Sequence, residues 1–152
     1  LAGMASSTAG YFGGGWAGSS LVSTVDRFLF SDDSRTTLGT GLSANNINLA
    51  GMASSTAGYF GGGWDGGYAS TVDRFLFSDD SRTTLGTGLS AARHKLAGMA
   101  SADAGYFGGG FETGGVVSTV DRFLFSDDSR TTLGTGLSAA RQLLAGMAYT
   151  GA

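Results

Sequence analysis

The sequence predicts an all-β protein made of three repeated units, each an antiparallel sheet of four short strands. Three observations carry this. First, LAGMASSTAGYFGGGW at Leu1 to Trp16 returns unchanged at Leu49 to Trp64, LAGMASADAGYFGGGF follows at Leu96 to Phe111, and a fourth start appears at Leu144, giving steps of 48, 47 and 48 residues. The block STVDRFLFSDDSRTTLGTGLSA also recurs without change at Ser23 to Ala44, Ser70 to Ala91 and Ser118 to Ala139. Second, the composition is 41% hydrophobic and 14% charged, with 28 glycines and no proline, which is too apolar for disorder and too rich in glycine for helices. Third, apolar residues alternate with a period of two and no helical stripe occurs. A repeat of about 40 to 50 residues marks stacked or circular arrays whose units cannot bury an apolar face alone. The expected units are 1–48, 49–95 and 96–143, with 144–152 the first strand of a further unit or a closing strand.

Within the second unit, Leu49 to Ala53 (LAGMA) is strand A, whose small residues permit close backbone approach. Ser54, Thr56, Ala57 and Gly58 supply a turn, and Tyr59 and Phe60 run into Gly61 to Gly63 as strand B. Ser70 to Phe77 is strand C, with Val72, Arg74 and Leu76 on one side and Thr71, Asp73, Phe75 and Phe77 on the other. A polar turn, Ser78 to Ser81, leads into Arg82 to Leu89, an edge strand D interrupted by glycine.

At 152 residues the chain has room for one domain. Its net charge is −3 and its nine Lys and Arg are scattered, so nucleic acid is not an expected partner. No apolar run is long enough for a membrane-spanning helix, so no membrane insertion is expected. With no cysteine there is neither a disulfide nor a thiolate site. The chain starts at Leu1 rather than Met, without a signal-like segment, and is expected to be processed or part of something longer.

Several motifs have plain structural readings. Gly39, Gly41 and Ala44 outline a dinucleotide loop, but a glycine-rich strand follows where that loop requires a helix. Asp32 and Asp33, with Asp79, Asp80, Asp127 and Asp128, lack the spacing of calcium ligands and read as a solvated turn. Asp26 and Arg27, with Asp73, Arg74, Asp121 and Arg122, are expected to pair with a neighbouring unit or strand. Tyr11 and Phe12 and their equivalents read as packing residues. His94, the single histidine, has no nucleophile context, and one histidine without cysteine makes a weak metal site. No catalytic group, metal or cofactor is expected.

Arg93, Leu96 to Ala100, Tyr106, Gly108 to Gly110, then Val120, Asp121, Arg122 and Phe123 follow an order that resembles a divergent kelch repeat, the four-stranded blade of a β-propeller. Similar glycine-rich blades occur in surface and phage-tail proteins. The chain departs from the kelch pattern in lacking the tryptophan at the last strand, where Thr37, Thr84 or Thr132 stands, and in having Asn46 at the first junction instead of arginine. The resemblance implies a propeller of three blades per chain plus the first strand of a fourth. Propellers close with about four to eight blades. Self-association is therefore expected, either as a homodimer closing a six-bladed ring or as a longer array or fibre.

The units differ mainly in two stretches. After the glycine triplet they read WAGSSLV, WDGGYA and FETGGVV, and before the next strand A they read NNIN, ARHK and ARQL. In a kelch-like blade these B–C and D–A loops share one face, where recognition is usually placed. The candidate ligand residues are Trp16, Asn45, Asn46, Trp64, Asp65, Tyr68, Arg93, His94, Phe111, Glu112 and Arg141. Their mixed aromatic and polar character suits a glycan first and a protein partner second. The expected function is a non-catalytic binding or adhesion module, extracellular, on a cell surface or on a virion. The alternative is a structural repeat protein forming an extracellular fibre, sheath or virion appendage, with Ser and Thr as O-glycan sites and no N-glycosylation sequon.

Overall fold

The computed structural model describes residues 1–147, and among these there are strands and turns but no helix. In the first unit β1 (Ala2–Ala5), β2 (Ala9–Gly13), β3 (Val25–Leu29) and β4 (Arg35–Thr37) pair in that order. The second unit repeats this with β5 (Ala50–Ala53), β6 (Ala57–Gly61), β7 (Val72–Leu76) and β8 (Arg82–Thr84). In the third, β9 (Ala97–Ala100), β10 (Ala104–Gly108), β13 (Val120–Leu124) and β14 (Arg130–Thr132) form the sheet. A small hairpin of β11 (Phe111–Glu112) and β12 (Gly115–Val116) lies between β10 and β13. All pairings are antiparallel, with the same register in each unit: Tyr11 opposite Arg27, Tyr59 opposite Arg74 and Tyr106 opposite Arg122.

Strand D is shorter than expected, three residues instead of eight. After Thr84, Leu85 still donates its N–H to Val72, but Gly88 then crosses against the Ser70 carbonyl, where a Cβ would collide. The crossing buries Leu89 beneath the sheet. Leu144 to Met147, expected to begin another strand, belong to no strand, and the rest of 144–152 lies outside the described residues.

The three sheets stack face to face. Their first strands lie side by side, and at Gly51 a Cβ would strike the Gly3 carbonyl, as one at Gly98 would strike that of Gly51. Only glycine permits this approach. Because side chains alternate along a strand, Phe and Tyr of each β2-type strand leave opposite faces. Phe60 presses back over Gly13, 2.8 Å from where a Cβ would stand, among Val25, Leu42 and Leu49. Phe107 does the same over Gly61, among Val72, Leu89 and Leu96. Tyr11 points forward and stacks on Phe77 at 5.4 Å, and Tyr59 on Phe125 at 5.5 Å. Burying one such ring contributes roughly 1.5–3 kcal/mol, so these aromatics carry much of the stacking between sheets.

Charged groups repeat the same logic. Asp73 accepts hydrogen bonds from the Ser43 N–H and hydroxyl of the preceding unit, both at 2.8 Å. Asp121 accepts the same pair from Ser90 and a third bond from Arg93 at 2.9 Å. The acidic turn, expected to be solvated, divides into two roles. Asp32, Asp79 and Asp127 stay exposed and accept the N–H of the serine two residues on. Asp80 and Asp128, by contrast, turn back to the preceding sheet, where they pair with Arg27 and Arg74 and accept the hydroxyls of Tyr11 and Tyr59. A left-handed backbone at Asp80 and Asp128, φ 58° and 57°, aims them there, a conformation that Asp tolerates better than most residues.

Candidate functional site

The D–A segment of one unit and the B–C loop of the next meet edge to edge. Ile47 and Trp64 exchange backbone hydrogen bonds at 2.8 and 3.1 Å, and His94 and Phe111 do so at 2.9 and 3.1 Å. The two loop sets therefore share a face. Each exchange depends on the glycine triplet before it: Gly62 and Gly63 take φ of 68° and 109°, which lets the loop fold back so that Gly63 donates to the Arg93 carbonyl.

At the junction of the second and third units this construction gathers an aromatic cluster. The Trp64 and Tyr68 rings meet edge to face at 5.1 Å, Tyr68 and His94 at 5.1 Å, and His94 and Phe111 at 5.8 Å. Trp64 also lies 5.9 Å from His94. These four rings, with Ile47, Asn48 and Lys95, line an open depression of about 450 Å³. Burial, and secondarily the neighbouring Lys95 charge, lowers the His94 pKa below its ordinary value, so the imidazole is neutral at pH 7. Its Nδ1 is buried and has no hydrogen-bond partner, so the ring faces the depression with its other atoms. The depression thus offers aromatic rings, one neutral imidazole, one amide and one ammonium.

Of the eleven sequence candidates, Trp64, Tyr68, His94 and Phe111 converge here. Trp16 stands alone in the first unit, 62% exposed, with its indole N–H donated to the Gly18 carbonyl. Asn45, Asp65 and Arg141 are exposed and Glu112 is half-buried in β11, all outside the lining. Two candidates require correction. Arg93 is wholly buried, donating to Asp121 and to the Phe107 carbonyl, and Asn46 is buried with its amide donated to the Gly62 carbonyl. Both serve the interior, because the following unit's glycine hairpin folds over them. Ile47, Asn48 and Lys95 escaped the sequence reading, although they lie in the segments where the units differ. The signal for Asn48 and Lys95 is their matching place in the repeat: both adopt positive φ, and Lys95 donates its N–H to the Asn48 carbonyl at 2.8 Å.

Among the described residues, no three His, Cys, Asp or Glu side chains gather as a metal site would require. The chain matches no protein-family model and no curated protein.

Proposed function

We propose that the chain is part of a kelch-like β-propeller and acts as a non-catalytic binding or adhesion module, taking a glycan at the junction of its second and third units. One observation carries the reading. Trp64, Tyr68, His94 and Phe111 converge around an open depression on the surface where otherwise near-identical units differ. Aromatic rings with a few polar groups suit the apolar faces and hydroxyls of a sugar. Lys95 adds a preference for glycans that carry a carboxylate. A protein loop is the second ligand class. Such a module belongs outside the cell, on a surface or on a virion.

Glycan-array binding by wild type, Trp64→Ala and Trp16→Ala tests this. Loss of signal with Trp64→Ala and its retention with Trp16→Ala is expected, provided both variants unfold at wild-type temperatures. Equal signals from all three proteins would remove the site. The alternative, a structural repeat protein of fibres or sheaths, is favoured by a separate observation: the first and third sheets leave matching faces uncovered.

A further inference from the structure

The chain makes one interface twice, between its first and second sheets and again between its second and third. We propose that it makes that interface a third time with a second copy of itself, the third sheet of one copy binding the first sheet of the next head to tail. The inference is independent of any ligand at the loop face.

The polar half of the interface is a forward Tyr and Arg meeting a backward Asp. Tyr11 and Arg27 meet Asp80, and Tyr59 and Arg74 meet Asp128. Tyr106 and Arg122 stand at the corresponding places on the third sheet. Among the described residues neither forms an ion pair or a side-chain hydrogen bond, whereas Arg27 and Arg74 each pair through a terminal guanidinium nitrogen. Asp33, the first unit's counterpart of Asp80, is exposed and already holds the same φ, 57°. Its backbone has the turn conformation that the two internal interfaces use.

The apolar half matches as well. Phe60 fills the space over Gly13 and Phe107 that over Gly61, whereas over Gly108 a Cβ would meet only Val120 and Leu137, at 3.6 and 3.8 Å. That space opens into a cavity of about 160 Å³ lined by Gly108, Val120, Leu137 and Leu144. Phe12, the ring that would fill it from a second copy, is 51% exposed. Methionine follows the same rule: Met4 lies over Gly58 and Met52 over Gly105, but Met99 is 48% exposed. Its seat on a second copy would be Gly10, which in this chain is covered by the Phe30 ring at 3.3 Å. Phe77 and Phe125, the counterparts of Phe30, stack on the preceding unit's tyrosine. On docking, Phe30 leaves Gly10 to Met99 and stacks on Tyr106.

One segment must give way. Gly146 lies against the Gly98 carbonyl, where the second copy's Gly3 would sit, and Leu144 to Met147 repeat the sequence Leu1 to Met4. Leu144 to Met147 belong to no strand, so they either leave or replace β1 at the edge of the second copy's first sheet. Because the two faces are different, the contact closes into a ring or runs on as a filament according to the rotation per unit.

Light scattering across a concentration series tests the proposal, with wild type, Asp33→Lys, Arg122→Glu and the double variant. A mass at least twice that of the monomer is expected for wild type, and a monomer for each single variant. The double variant, with the pair reversed, should regain the wild-type mass. Among the described residues neither side chain has a partner, and Lys95 shows that lysine accepts the backbone of Asp33, so all four proteins should fold. A wild type that stays monomeric throughout overturns the proposal. So do single variants that associate like wild type, or a double variant that remains monomeric. Trp64→Ala should associate normally, which separates this result from any failure of the glycan reading.

Discussion

Asp80 joins Arg27 and Tyr11 across the boundary between the first two units, accepting from both with its two carboxylate oxygens. Asp33 occupies the identical place in the repeat, with the same neighbours in sequence and the same φ, yet it faces solvent. Position in the array, not local sequence, decides which of the two holds sheets together.

The two aspartates should therefore respond differently to one substitution. Asp80→Asn keeps the left-handed backbone but leaves the Arg27 guanidinium without its counter-charge. It is expected to destabilise the chain by about 1.5–3 kcal/mol, the range for a hydrogen bond to a charged group. Asp33→Asn should lie within about 0.5 kcal/mol of wild type, as exposed substitutions usually do. Urea unfolding of dilute protein measures both. Equal midpoints for the two variants would mean that the Asp80 bridge contributes nothing.

Asn46 stands where the second junction has Arg93, and the substitution leaves a defect. Its amide reaches the Gly62 carbonyl at 2.8 Å, but its Oδ1 has no partner. A void of about 10 Å³ remains beside Asn46, Ser43 and Asp73. At the second junction the Arg93 guanidinium lies 2.9 Å from Asp121. There, burial by itself would raise the Asp121 pKa, but the bonds from Thr132 and Ser90 and the Arg93 charge outweigh it and hold the carboxyl below its ordinary range. Asn46→Arg should copy this arrangement onto Asp73 and raise stability by about 1 kcal/mol. The converse, Arg93→Asn, should cost about 3 kcal/mol because the buried Asp121 carboxylate loses the one fully buried cation beside it and keeps only its Ser90 and Thr132 bonds and the more distant Arg130. Thermal unfolding of the two variants should shift in opposite directions. If Asn46→Arg lowers the midpoint, the junction does not admit a guanidinium.

The repeat, the strand order and strands A to C were legible because alternation and identical blocks report local structure directly. What lay beyond reach depends on neighbours. Phe12 and Phe60 share a sequence context, yet one is half-exposed and the other buried, because only the second has a sheet behind it. Arg93 and Asn46 looked like loop residues because they sit where the units differ. Their burial comes from the next unit's glycine hairpin closing over them, a contact 16 residues on for Asn46 and 14 for Arg93, which local patterning does not report. Trp64, Tyr68, His94 and Phe111 were individually visible as candidates. That they meet, whereas Trp16 stands apart, follows from the exchange of hydrogen bonds between Ile47 and Trp64 and between His94 and Phe111.

The tyrosines that bind Asp80 and Asp128 set an alkaline limit on the fold. Burial, then the hydrogen bond and negative charge of Asp80, push the Tyr11 pKa up to about 12, and Tyr59 is raised further by the same causes through Asp128. A phenol whose folded pKa exceeds its unfolded value of about 10 stabilises the fold fully below that value and progressively less as pH rises through the folded pKa. Stability should therefore be insensitive to these phenols up to about pH 10 and fall from there toward pH 12. Removing the Tyr11 hydroxyl with Tyr11→Phe should soften that decline while costing about 1 kcal/mol at neutral pH, because one Asp80 bond is lost. Urea midpoints from pH 8 to 12, alongside the 295 nm phenolate absorbance, would register both effects. A Tyr11→Phe variant whose stability falls as steeply as that of wild type would show that ionisation of this phenol is not what opens the stack.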